Sequence, residues 1–349
     1  MARTKRQEVD RLLHEGNVLE FPRVRGQSAC AIAHVEDEQR RAAIRLYDEA
    51  IALDPTVGEA WLARASAWRR LGEDKKFRAD SKKAIAFGFK YPIDYLRASF
   101  GYRGASERRL LATGARLAKP GSGDHFMLCV HTVHSYWYER RYDLMLRGAR
   151  RVQVIHPNFM RGRNGAYLVT LEGDALAALG RFADAEKAYW RGLSPTWMPD
   201  ITATLLVMMR VYRGDLDGAR MVARKVGKYW DKLKCALMDA YLDALGDGPI
   251  RCPAWLRRKL HLLAAKNTVG YFGGVVLCRL AERALVEKEL RETVTRWRGN
   301  ALEWGVTFRW EIAQLERLLG LDGGAAAPMA QSSKPKMRKP RRMKPKIRR

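Results

Sequence analysis

The feature that most constrains this chain is a self-similarity with a period of 34 residues. Ala43–Pro55 reads A-I-R-L-Y-D-E-A-I-A-L-D-P and Phe77–Phe89 reads F-R-A-D-S-K-K-A-I-A-F-G-F, so that Ala50-Ile51 falls on Ala84-Ile85. Between them lies G-E-A-W-L-A-R-A-S-A-W-R-R-L-G, with Trp61 and Trp68 seven apart. A period of this length marks a supersecondary unit that buries its apolar face only by stacking on further copies of itself. Each period holds two helical patterns. Gly72 sits where the first must end and accepts a left-handed backbone cheaply. Pro55 follows the second and stops it. No segment alternates with the two-residue period of a strand.

The spacing resembles that of tetratricopeptide repeat proteins, whose 34-residue helix–turn–helix units carry aromatic, small and Pro residues at fixed offsets. Ala43, Tyr47, Ala50 and Pro55 match the second helix of a first unit at 24–57; Trp61, Ala65, Trp68, Gly72 and Ala84 match a second at 58–91. Weaker copies follow. Tyr95 and Tyr102 precede a helix at Ser106–Lys119, and Tyr136, Ala149 and Pro157 hold their slots in the next unit. The match strengthens again at Gly173, Leu179-Gly180, Ala185 and Tyr189, and Gly214 and Ala219 come one period after Gly180 and Ala185. A seventh unit starts near Lys232, with a second helix at Ala254–Lys266. Between 157 and 166 the phase slips, which predicts a longer loop. The resemblance implies an all-α, right-handed α-solenoid of about seven units over 24–266. An N-terminal extension (1–23) with a short helix at Gln7–His14 precedes it. Helices at 267–322 cap it, and a basic, Pro-rich, disordered tail occupies 323–349.

Charge bears on partners rather than on fold. The chain holds 65 Lys+Arg against 38 Asp+Glu, a net +27. Ten of these cations lie in the last sixteen residues: Lys334, Lys336, Arg338, Lys339, Arg341, Arg342, Lys344, Lys346, Arg348 and Arg349. Pro335, Pro340 and Pro345 recur every five residues there and forbid a helix. Such a segment serves either as a nuclear targeting signal or as a grip on phosphates. Without it the body keeps 27 − 10 = +17, so the charge is not confined to the tail. The five cysteines, Cys30, Cys129, Cys235, Cys252 and Cys278, never form a C-x-x-C pair, which argues for a reducing compartment. With no signal-peptide pattern and no apolar run long enough to span a bilayer, the expectation is an intracellular soluble protein, of the cytoplasm or nucleus if eukaryotic.

Catalytic signatures are missing. There is no G-x-G-x-x-G, Walker loop or G-x-S-x-G, and Gly270–Gly274 lacks the Lys-Ser/Thr of a phosphate loop. His125, Cys129, His131 and His134 invite a metal reading, but no carboxylate stands at matched spacing, and half-buried groove histidines are the simpler reading. The expectation is therefore no catalytic residue, no metal and no cofactor. In tetratricopeptide proteins the first helix of each unit lines a concave groove. Carried onto this sequence, the groove positions are Arg69 and Arg70, then Arg97 and Arg103, then His131, His134, Trp137 and Tyr138, and later Tyr167 and Tyr212. Arg with aromatics makes typical binding hot spots for carboxylates. The resemblance thus implies a non-catalytic protein-interaction scaffold that takes an acidic segment. The alternative is a helical-repeat RNA binder using the same residues and the tail on phosphates.

Overall fold

The computed structural model describes residues 4–20, 37–193, 199–266, 270–298 and 305–321. Among these residues there are seventeen α-helices and no strand. They run α1 (Lys5–Glu20), α2 (Asp37–Leu53), α3 (Gly58–Arg70), α4 (Asp74–Phe87), α5 (Pro92–Ser99), α6 (Ala105–Leu117), α7 (Gly123–Tyr138), α8 (Tyr142–Ile155), α9 (Arg163–Ala178), α10 (Phe182–Gly192), α11 (Pro199–Val211), α12 (Leu216–Val226), α13 (Lys232–Leu245), α14 (Ala254–Ala264), α15 (Gly270–Arg279), α16 (Glu287–Arg298) and α17 (Gly305–Leu319). From α1 to α13 each helix packs on the next, and odd-numbered helices also touch odd-numbered ones: α1 on α3, α3 on α5, α5 on α7, α7 on α9, α13 on α15. The odd helices thus form one layer and the even helices the other, the stacking that the 34-residue period implies.

Within a pair, a small residue on the first helix lets an aromatic ring of the second lie against its backbone. At Gly173 an added Cβ would come 2.5 Å from Cε1 of Tyr189, and the ring of Tyr47 lies in the same way over Gly16. Tyr47, Tyr189 and Tyr241 are among the largest fully buried side chains. These contacts fix the frame of the first unit. Gly173 and Tyr189 are 189 − 173 = 16 residues apart, whereas Gly16 and Tyr47 are 47 − 16 = 31 apart. Fifteen additional residues therefore separate α1 from α2. The first helix paired with α2 is α1, and not a segment at 24–36 as the period suggested; residues 21–36 lie outside the described residues. α1 is also longer than the helix read at 7–14, and it belongs to the packed array.

The turn from first to second helix recurs with a left-handed residue: Gly72 (φ 76°), Gly180 (φ 76°) and Gly214 (φ 74°). Arg140 (φ 58°) takes the same conformation 140 − 72 = 68 residues after Gly72, two full periods on, although it carries a side chain. The phase slip resolves into a 3-10 turn at Pro157–Phe159 followed by α9 from Arg163. Further along, α14 begins at Ala254, and three helices, α15 to α17, occupy the expected capping region.

Carboxylates buried between helices hold the layers in register. Arg64 of α3 forks onto Asp80 of α4 (2.7 Å) and reaches Asp48 of α2 (2.6 Å). Glu172 of α9 is held by Arg150 of α8 (3.0 Å) and Arg191 of α10 (2.7 Å). Glu186 of α10 takes Arg210 (2.7 Å) and Arg213 (3.2 Å), and Asp243 of α13 takes Arg251 (2.8 Å). A buried acid paired and hydrogen-bonded in this way is costly to orphan. Part of the arginine surplus is therefore structural.

Gly173→Ala should force the Tyr189 ring off its seat and cost about 1–3 kcal/mol, the usual range for overpacking a filled core. Chemical denaturation of full-length protein measures this; an unchanged midpoint would show that the ring does not need the glycine.

Candidate binding groove

Three turns of α7 organise the inner layer. Ser122 caps the helix by accepting the His125 N–H (3.2 Å), and His131, His134 and Tyr138 follow at spacings of three and four, on one face. The His131 ring meets Phe100, at the end of α5, edge to face with centroids 5.9 Å apart. His134 contacts His131 (6.3 Å), Tyr138 (5.2 Å) and Tyr167 of α9 (5.9 Å). An arginine closes each end of this band. The Arg69 guanidinium stacks 4.6 Å from the Phe100 ring centre, and that of Arg103 lies 4.5 Å from that of Tyr138. Seven side chains from α3, the α5–α6 segment, α7 and α9 thus form one continuous cationic and aromatic surface. Both arginines are exposed, and Tyr138 keeps 45% of its surface in solvent.

The histidines of the band are neutral near pH 7. Burial and the neighbouring His134 push His131 down to about 4. Burial and the charge of Arg103 lower His134. They serve as hydrogen-bonding rings, and the positive charge comes from the arginines alone.

The structure gathers Arg69, Arg103, His131, His134, Tyr138 and Tyr167 as the sequence suggested, and adds Phe100, which the repeat pattern did not single out. Four others sit differently. Arg97 is exposed but engaged by Asp94 (3.1 Å). Arg70 turns to the buried Glu20 of α1 (3.5 Å) and acts in packing. Trp137 turns toward its own unit, where its ring meets Tyr142 (5.7 Å). Tyr212 is buried beneath α17. The tail cations Lys334 to Arg349 lie outside the described residues.

The covering of Tyr212 divides the inner face in two. α17 packs on α16, α15 and α9. Trp310 of α17 lies edge to face on Tyr212 at 5.2 Å, and the Tyr212 hydroxyl donates to Glu311 Oε1 at 2.7 Å. Behind them Tyr241 and Tyr271 bring their hydroxyls within 3.3 Å, beside Phe272. The inner face around Tyr212 and α15 is thus covered by the chain's own helix, while Arg69, Arg103 and Tyr138, from α3 to α7, are exposed to solvent. Burial pushes the Glu311 carboxyl up to about 7 and Asp174, which accepts from Tyr189 at 2.7 Å, up to about 6.

The expected histidine–cysteine group separates. His131 and His134 belong to the band, whereas His125 and Cys129 meet His156, at the end of α8. These three are the residues able to hold a metal among those described. His156 escaped sequence reading because 31 residues separate it from His125.

No family model matches the sequence, and no curated protein matches it. Among solved structures, PilF of Pseudomonas aeruginosa aligns with 82% of this chain and 100% of its own at 12% identity and a TM-score of 0.36. Yeast Tom70 aligns with 90% of this chain at 15% identity and a TM-score of 0.46, this chain spanning 64% of its length. A thermophilic TPR protein of Thermus thermophilus aligns with 64% of this chain and 92% of its own, at 18% identity and a TM-score of 0.27. The tetratricopeptide-like character of the fold rests on the 34-residue period and the glycine–tyrosine seats themselves. Among the described residues no helix is long and apolar enough to cross a membrane.

Glu311 yields a pH dependence with a definite sign. Its carboxyl titrates near 7 when α17 is docked and near 4.5 when free, so the docked state holds the proton more tightly. The contribution of Glu311 to stability is full below pH 4.5 and is lost as pH rises through 7. Wild type should therefore lose several degrees of thermal midpoint, about 5 °C, relative to Glu311→Gln between pH 5 and pH 7.5. Parallel curves for the two proteins would show that Glu311 is ionised where it sits.

Proposed function

We propose that the chain is a non-catalytic protein-interaction scaffold whose open groove, from α3 to α9, binds an acidic segment of a partner protein. One observation carries this reading. Arginines such as Arg64 and Arg191 are clamped by buried carboxylates, whereas Arg69 and Arg103 lie over the aromatic rings of the band with no carboxylate within 4.0 Å among the described residues. A guanidinium laid on a ring keeps its fork of donors in one orientation and loses little entropy when a carboxylate arrives. The neutral His131 and His134 and the Tyr138 ring supply rigid, partly apolar area between the two cations, the composition of an interface hot spot. A ligand with acidic groups flanking an apolar or aromatic residue fits this order. The tail, with ten cations in sixteen residues, adds a second anionic contact or a targeting signal.

The test is a labelled twelve-residue Asp/Glu-rich peptide with a central aromatic residue, titrated into the full chain at 0.15 M salt. The double variant Arg69→Glu/Arg103→Glu should weaken binding at least about tenfold. Arg147→Glu, an exposed change on α8, should leave it unaltered. Equal affinities for both variants would remove this groove as the binding site. Tighter binding of generic RNA, with a steep fall in salt that shrinks when residues 334–349 are deleted, would establish the nucleic-acid reading instead.

A further inference from the structure

We propose that His125, Cys129 and His156 form a zinc(II) site that ties the end of α8 to the first turns of α7. His125 and Cys129 are four apart on α7 and so share a face. His156 caps the C-terminus of α8, and its Nε2 lies 2.8 Å from His125 Nδ1. The Cys129 Sγ is 4.0 Å from the same Nδ1, and the three ligand atoms lie within 4.8 Å of one another. Tetrahedral zinc, with bonds of about 2.05 Å to nitrogen and 2.3 Å to sulfur, needs N···N near 3.3 Å and N···S near 3.6 Å. The two distances from His125 Nδ1 are within about 0.5 Å of those values, and the remaining pair, within 4.8 Å, closes by about 1 Å on side-chain adjustment.

Two further features point to a ligand. His156 is 2% exposed, and the atom it turns into the cluster is Nε2; its Nδ1, which has no hydrogen-bond partner among the described residues, lies on the other side of the ring and takes no part in the proposed coordination. Two imidazole nitrogens 2.8 Å apart, with a thiol sulfur 4.0 Å from one of them, gather three donor atoms that an ion can bridge. Around it the rings of Phe126 (5.4 Å) and Phe159 (5.9 Å) form an apolar wall that limits water. Two imidazoles and a thiolate are a borderline-soft donor set suited to zinc, with the fourth position left to water. Binding releases the Cys129 thiol proton to solvent and leaves a neutral imidazole on each histidine.

The location gives the site a purpose. Pro157–Phe159 follows His156 directly, and the 34-residue phase slips there. A metal crosslink from α7 to that junction fixes how α9 and the later helices continue from α1–α8. It thereby sets the distance between His134 of α7 and Tyr167 of α9 in the groove.

The experiment uses the full chain stripped of metal with chelator and kept reduced. Zinc(II) should bind at one equivalent with micromolar or tighter affinity and raise the thermal midpoint. Cobalt(II) should give tetrahedral d–d bands with a thiolate-to-cobalt charge-transfer band. Cys129→Ser should abolish the charge-transfer band and weaken zinc at least tenfold; His125→Gln should weaken zinc similarly. Both positions are only partly buried, so the variants remain folded even if His156→Gln does not. His131→Gln and Cys235→Ser should behave as wild type. No binding at 100 μM zinc, or a charge-transfer band that survives Cys129→Ser, would overturn the proposal.

Discussion

A tyrosine ring resting on a glycine backbone sets the distance between the two helices of a unit at α1–α2 and again at α9–α10. In the seat of Tyr189 on Gly173 the glycine has no Cβ to hold the ring off, and the ring fills the space that a larger residue would have opened. The same seat at Gly16 and Tyr47 survives fifteen additional residues of connecting chain. Loop length is cheap, because closure entropy grows only with the logarithm of length, whereas displacing a buried ring is not. Packing therefore defines the unit more strictly than the loop does.

Once the helices stand at that distance, the charges sort themselves. Acids trapped between layers, such as Glu172, Glu186 and Asp243, must be neutralised, and arginines from adjoining helices and loops reach in to do it. Arg69 and Arg103 are left on the inner layer with rings rather than acids beneath them. Net charge counts both groups equally, although the first is engaged in packing and the second lies open on the inner face. Further along, α17 takes the inner face for itself, with Glu311 on Tyr212 as its polar anchor. The protein thus presents half a groove and closes the other half.

Much of this was legible in the sequence. The period around 43–89 and 166–223 placed α2 to α4 and α9 to α12, the spacing of His131 and His134 put them on one helix face, and the resemblance to tetratricopeptide repeats added Tyr138. The failures have physical causes. Periodicity assumes a constant loop, so it set the first helix beside α2 and undervalued Leu12 and Val9, which are buried in α1. Helical phase gives a direction but not a neighbour, so Trp137 and Arg70 were read as groove residues when Tyr142 and Glu20 compete for them. Contacts across many residues leave no local trace. Tyr212 with Glu311 and His125 with His156 are of this kind, and both entered through the fold.

The central claim is that recognition is confined to the inner face between α3 and α9. Amide hydrogen exchange of the full chain, with and without a saturating acidic peptide, tests it most directly. The account predicts added protection at the end of α3, across α5 and α7 and at the start of α9, with α11 to α15 unchanged beneath α17. Protection on the even-numbered helices, or exchange that rises in α17 while protection appears on α11 and α13, would contradict it.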